Sequence, residues 1–132
     1  MTSHAEGTFK VTSWDEKTYE ELAGGAKLTR ASIVQEFTGD LEATGPVELL
    51  MCYREDGTAS IVGLQRFVGR LGKREGSFVV QSVGEYDGKE ARSTVTVVPG
   101  SGTGELAGIR GEGVSSATAE PPGTLTLDYD ID

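Results

Sequence analysis

Apolar and polar residues alternate in short runs along this chain, and no segment sustains a long 3.6-residue apolar period. The runs are cut by Gly, Asp-Gly and Pro-Gly signals at the spacing of all-β domains. The pattern predicts eight strands, at residues 7–14, 27–39, 47–54, 59–71, 76–86, 89–98, 106–117 and 123–131. The segment from Trp14 to Gly25 is the one that reads as helical. Asp15 can serve as N-cap, Glu16 and Glu20-Glu21 lie early, and Gly24-Gly25 would end it. It is short, so the expectation is one turn of helix inside a long loop.

Turn chemistry assigns the faces. Asp87-Gly88 reads as a two-residue hairpin turn, which sets Tyr86 opposite Lys89, Ser82 opposite Ser93, Val80 opposite Val95 and Phe78 opposite Val97. A two-residue loop at Lys73-Arg74 sets Gly69 opposite Phe78, Phe67 opposite Val80 and Gln65 opposite Ser82; moving it to Gly72-Lys73 keeps the same faces together. Glu55-Asp56-Gly57 fits a three-residue loop, with Met51 opposite Ile61 and Leu49 opposite Gly63. A one-residue slip would exchange the faces of that hairpin. The three-residue loop is preferred because it gives one consistent inner face. That face carries Leu49, Met51, Tyr53, Ile61, Gln65, Phe67, Phe78, Val80, Ser82, Val95 and Val97, with Ala31, Ile33, Gln35 and Phe37 from the second strand. Val79 and Val83 then point outward with Val62 and Leu64, an apolar outer surface that calls for cover by loops or a second subunit. A homo-oligomer is the expected assembly.

The chain has 132 residues, 36% hydrophobic and 25% charged, which suits one folded domain spanning 1–132 rather than a disordered chain. Its 19 glycines and 4 prolines are spread as punctuation, not clustered in tracts. The formal net charge of −9 argues against nucleic acid and against anionic membranes. Cys52 is the only cysteine and lies in the apolar run Leu49-Leu50-Met51-Cys52-Tyr53, so it reads as a small buried hydrophobe. The start, Met1 to Lys10, is polar, and no stretch is long enough to span a bilayer. A cytoplasmic location is the expectation.

The segment Val97-Val98-Pro99-Gly100-Ser101-Gly102-Thr103-Gly104-Glu105-Leu106-Ala107-Gly108-Ile109-Arg110-Gly111 resembles the Gly-Thr-Gly…Gly-x-x-Gly turn of allene oxide cyclase-like and dirigent-like barrels. Over nearly its full length the chain resembles a family of bacterial proteins of unknown function assigned to that barrel class. The matching pieces are Ser13-Trp14-Asp15-Glu16, Lys27-Leu28-Thr29-Arg30-Ala31-Ser32, Gly63-Leu64-Gln65, Gly76-Ser77-Phe78-Val79-Val80-Gln81 and Leu127-Asp128-Tyr129-Asp130. The resemblance implies an all-β fold, a single antiparallel barrel of about eight strands, allene oxide cyclase-like. It carries no activity with it. Proteins of this kind often have an acidic residue at the position of Gln65 and a histidine at that of Ser82, a pair able to move protons. Gln65 and Ser82 do not titrate near neutrality, so that role does not transfer.

The candidate chemistry is sparse. Gly100-Ser-Gly-Thr-Gly104 superficially resembles a phosphate loop but lacks its Lys-Ser/Thr ending, and no helix pattern follows. His4 is the only histidine and lies in a segment expected to fray, which removes His-based triads and leaves zinc without ligands. Asp128, Asp130 and Asp132 read as a solvent face of the last strand, at a spacing unlike a calcium loop. Glu36, Glu48, Arg54, Arg66, Arg92 and Arg110 sit within strands and most face outward, which favours cross-strand ion pairs over catalysis; Arg30 and Glu36 depend most on the face assignment. No cofactor and no metal are expected, and no catalytic residue is identified. A barrel of about eight strands can hold side chains or one small ligand. The first expectation is a barrel that binds a small apolar molecule, with Ile33, Gln35, Phe37, Met51, Tyr53, Gln65, Phe67, Phe78, Val80 and Ser82 as the binding residues. A cofactor-independent cyclase or isomerase that shapes its substrate is the second, and a filled barrel acting as a structural or self-association module the third.

Overall fold

The computed structural model describes residues 2–131. Its strands are β1 (Ser3–Glu21), β2 (Lys27–Gly39), β3 (Leu41–Tyr53), β4 (Ala59–Leu71), β5 (Arg74–Tyr86), β6 (Glu90–Val97), β7 (Thr103–Gly104), β8 (Ile109–Thr118) and β9 (Gly123–Ile131). They form one antiparallel sheet in the order β4-β3-β2-β1-β9-β8-β6-β5, and β4 pairs with β5 to close the ring. The all-β expectation therefore holds, as a closed eight-stranded barrel with one short extra strand. That extra strand, β7, pairs with Gly76 and Ser77 at the end of β5 that β6 does not reach. Among the described residues, no helix is long and apolar enough to cross a membrane.

The strand expected at 106–117 begins only at Ile109, and three further segments differ from the sequence expectation for a physical reason. The predicted helical turn after Trp14 is strand: β1 runs on to Glu21, and only Ala23–Gly25 makes a turn of 3-10 helix. Register shifts at Val11/Ser13 and Thr18/Glu20 break the alternation that would have marked this strand. β3 begins at Leu41, six residues earlier than expected. Its ladder to β4 skips Gly45 and Pro46, so the proline sits where no donor is needed on that side. The β5–β6 hairpin turns on Gly88-Lys89. Asp87 instead stands before the turn, where its carboxylate accepts the Lys89 and Glu90 N–H groups at 2.8 Å each. Gly88 supplies the positive φ of +101° that the first turn position needs.

This moves the β5–β6 register by two residues. Ser82 faces Val95, Val80 faces Val97 and Gly84 faces Ser93. A shift of two preserves the faces. The β4–β5 loop is at Gly72-Lys73, so Gln65 lies opposite Val80 and not opposite Ser82, whose partner is Gly63. The β3–β4 loop matches the three-residue reading, with Met51 opposite Ile61 and Leu49 opposite Gly63.

One half of the barrel is filled. Phe9, Phe37, Phe67 and Phe78 form a ladder around its wall, with ring centroids 5.0, 5.0 and 5.1 Å apart. Val80, Val97, Leu125 and Leu127 pack against the ladder, and Leu106 enters from residues 98–108 as a stopper. In that loop Ser101 Oγ accepts the Val79 N–H at 3.0 Å, and Thr103 Oγ1 accepts the Ser77 N–H at 3.1 Å. The hydroxyls of the glycine-rich segment thus hold the loop on β5 rather than form a phosphate cradle.

The outer surface is laced with cross-strand ion pairs: Arg30–Glu48 at 2.9 Å, Arg54–Glu85 at 2.8 Å and Arg70–Glu42 at 2.6 Å. Glu36 accepts from Thr44. Cys52 is half-buried rather than buried. Val62, Leu64 and Val83 are exposed as expected, and Leu50 joins them, in register with Val62 and Val83. Val79 is half-buried beside Ser101.

His4 is not frayed but paired within β1. Its Nδ1 lies 2.7 Å from an Asp128 carboxylate oxygen and its Nε2 lies 3.0 Å from Glu6. Asp132 lies outside the described residues. The two carboxylates, Asp128 foremost, raise the His4 pKa above its ordinary 6.5. A raised histidine pKa favours the fold below about 6.5, and that contribution is lost as pH rises through the folded value. An NMR titration is expected to place the His4 midpoint above 6.5, with Asp128→Asn lowering it more than Glu6→Gln.

Candidate functional site

The other half of the barrel is open and encloses a cavity of about 910 Å³. Its two walls differ in side-chain size. β2, β3 and β4 supply Ile33, Val47, Leu49, Met51 and Ile61. Facing them, β5, β6 and β8 supply Ser82, Ala91, Ser93, Ser115 and Ala117. The space exists because these inward positions are small where the filled half has phenylalanine, leucine and isoleucine.

The floor is polar. Gln35 stands two residues along β2 from Phe37, Gln65 two along β4 from Phe67, and Ser82 two along β5 from Val80. Each is thus the next inward position beyond a packed-core residue of its own strand, and all three line the cavity. Gln65 Nε2 donates to Gln35 Oε1 at 2.7 Å and to the Gly45 carbonyl at 3.1 Å. A side chain at Gly45 would not fit: a Cβ there would lie 2.8 Å from Gln65 Nε2 and 2.9 Å from the Phe37 ring. Glycine at this position lets the amide pair and the ladder approach together. Ser82 is buried at 8% exposure and lines the cavity, and its hydroxyl makes no hydrogen bond among the described residues.

The mouth is aromatic. Trp14, Tyr53 and Tyr86 line it, with Lys89 and Glu120 as the charged cavity-lining side chains. The shift at Val11/Ser13 brings the even-numbered Trp14 and Glu16 to the face that Phe9 and Val11 occupy earlier in the strand. The Glu16 carboxylate then accepts from Thr29 Oγ1 at 2.8 Å, the Tyr53 hydroxyl at 3.0 Å and Trp14 Nε1 at 3.2 Å. Burial, and then the bond to Glu16, push the Tyr53 pKa up to about 12. The Lys27 ammonium lies 5.2 Å from the Tyr53 ring centroid. Held by three donors, Glu16 fixes the rim and keeps Tyr53 a neutral phenol.

Of the ten expected binding residues, Ile33, Gln35, Met51, Tyr53, Gln65 and Ser82 line the cavity. Phe37, Phe67, Phe78 and Val80 belong instead to the packed core beneath it. Sequence reasoning missed Trp14 and Glu16, hidden behind the bulge, and the small residues Ser93 and Ser115. The matched small inward positions on neighbouring strands were the available signal for the latter. Among the described residues, no group of three or more His, Cys, Asp or Glu side chains is placed to hold a metal ion.

The profile of a family described as "Protein of unknown function (DUF3224)" matches residues 5–129. Among solved structures, the chain is similar to a protein with unknown function from the DUF3224 family of Shewanella oneidensis MR-1. The two are 29% identical with a TM-score of 0.85, over 100% of this chain and 99% of that one. No curated protein matches.

Proposed function

Because the chain belongs to the DUF3224 family, whose description assigns no activity, we propose from its geometry that it is a binding protein for one small, mostly apolar molecule. The observation that carries this reading is the cavity of about 910 Å³, within the range of about 300–1,000 Å³ usual for ligand sites. One wall is aliphatic, a few polar groups converge on the floor, and the mouth is open. The likeness to allene oxide cyclase-like barrels belongs to the same proposal and concerns architecture. A cyclase or isomerase that worked by holding a polyene or epoxide in a reactive shape would use the same cavity. Turnover of such a compound would distinguish it from a carrier.

An apolar fluorescent probe is expected to bind with one-to-one stoichiometry, with a blue shift and quenching or energy transfer from Trp14. A probe that stays in water at millimolar protein would end the binding reading.

The outer row Leu50, Val62 and Val83, with Leu64 beside it, supports self-association as a second property. Light scattering is expected to find an oligomer, and Val62→Lys to shift it toward monomer. A monomer at high concentration would remove this reading and leave the cavity reading untouched.

A further inference from the structure

We propose that the barrel takes its ligand head-down. The ligand is an uncharged molecule whose apolar body fills the open half and whose hydroxyl or carbonyl oxygen is held at the floor by Ser82 and the Gln35–Gln65 pair. This rests on the cavity reading above and adds the class and orientation of the occupant.

The argument begins with hydrogen-bonding capacity that the protein leaves unused. Ser82 is more than nine-tenths buried and borders the cavity, yet its hydroxyl has no partner among the described residues. That hydroxyl is open to whatever fills the cavity, and an occupant that displaces water from it must bond it or leave it unpaired at a cost. The amide pair is likewise half spent. Gln65 Nε2 bonds Gln35 Oε1 and the Gly45 carbonyl, which leaves Gln65 Oε1 and Gln35 Nε2 for another group. The floor therefore presents a hydroxyl, a carbonyl oxygen and an NH₂ group, which suffices to donate to and accept from one oxygen function. The bond to the Gly45 carbonyl fixes the orientation of the Gln65 amide.

Charge excludes the ionic alternatives. The charged cavity-lining residues, Lys89 and Glu120, lie in the turns at the mouth, and none lies on the floor. A carboxylate or ammonium placed at the floor would lose its hydration without meeting a counter-charge. The net charge of −9 further disfavours anions on approach. An alcohol or ketone meets neither obstacle.

A matched set of fluorescent naphthalenes tests this on the full chain: 1-methylnaphthalene, 1-naphthalenemethanol, 1-naphthoate and 1-naphthylmethylammonium. The alcohol is expected to bind about tenfold more tightly than the hydrocarbon, the worth of one or two net hydrogen bonds, and both ions more weakly than the hydrocarbon. Ser82→Ala should erase most of the alcohol's advantage over the hydrocarbon, and Gln65→Leu should do the same. Equal binding of alcohol and hydrocarbon, tightest binding by either ion, or an alcohol preference that survives Ser82→Ala would overturn the inference while the cavity reading stands. Failure of all four compounds to bind would overturn both.

Discussion

Phe67→Ala is expected to destabilise the protein by about 3–5 kcal/mol, the usual cost of emptying a buried aromatic site. Phe67 is 2% exposed and stands third in the ladder, 5.0 Å from Phe37 and 5.1 Å from Phe78. Removing its ring takes an edge-on contact from one neighbour and a tilted contact from the other. Neither can collapse into the gap, because each is fixed on a different strand of a closed ring. The midpoint of thermal unfolding should fall by about 10–20 °C. A denaturant titration that showed less than about 1 kcal/mol would mean that the ladder is not what holds the barrel.

Ser93→Phe should do the reverse at the other end. Ser93 borders the cavity and faces Gly84, with its hydroxyl over that glycine. A phenylalanine there can lay its ring across the glycine, a favourable cross-strand arrangement, and extend into open space. The expected outcome is a fold at least as stable as the parent, by up to about 1 kcal/mol of added apolar burial, that no longer binds the naphthalene compounds. Calorimetry and a probe titration on the same sample check both halves. A variant that binds normally would place the ligand elsewhere. Paired with Phe67→Ala, it tests whether stability and binding are divided between the two ends of one sheet.

Much of this was legible in the sequence, for reasons that can be named. The inner faces of β4, β5 and β6 were assigned correctly even though one turn was misplaced and one loop was left between two positions. Moving the Lys73-Arg74 loop to Gly72-Lys73, or the Asp87-Gly88 turn to Gly88-Lys89, shifts pairing by two residues and leaves parity intact. The Gln65–Ser82 pairing was lost by the same shift, because it depended on which residues were opposite and not on which face they shared. The segment from Trp14 to Glu21 was illegible because a bulge changes parity within the strand, and local alternation then carries no face information. The division into a filled and an open half was also hidden. It depends on where residues 98–108 fold back and insert Leu106, a long-range choice with no periodic signature.

β1 has one more consequence. It pairs with β9 only from Ser3 to Phe9, but with β2 as far as Glu21, so one side of residues 10–21 has no ladder partner among the described residues. An exposed strand edge is a template on which a second chain can build, and long flat edges seed aggregates. This one is neither flat nor neutral. It is bent by two register shifts and carries Lys10, Asp15, Glu16, Lys17, Glu20 and Glu21. The irregularity that turns Trp14 and Glu16 toward the mouth also denies an incoming strand a straight surface. The open end of the barrel thus has an edge whose shape and charge oppose the growth of an intermolecular sheet.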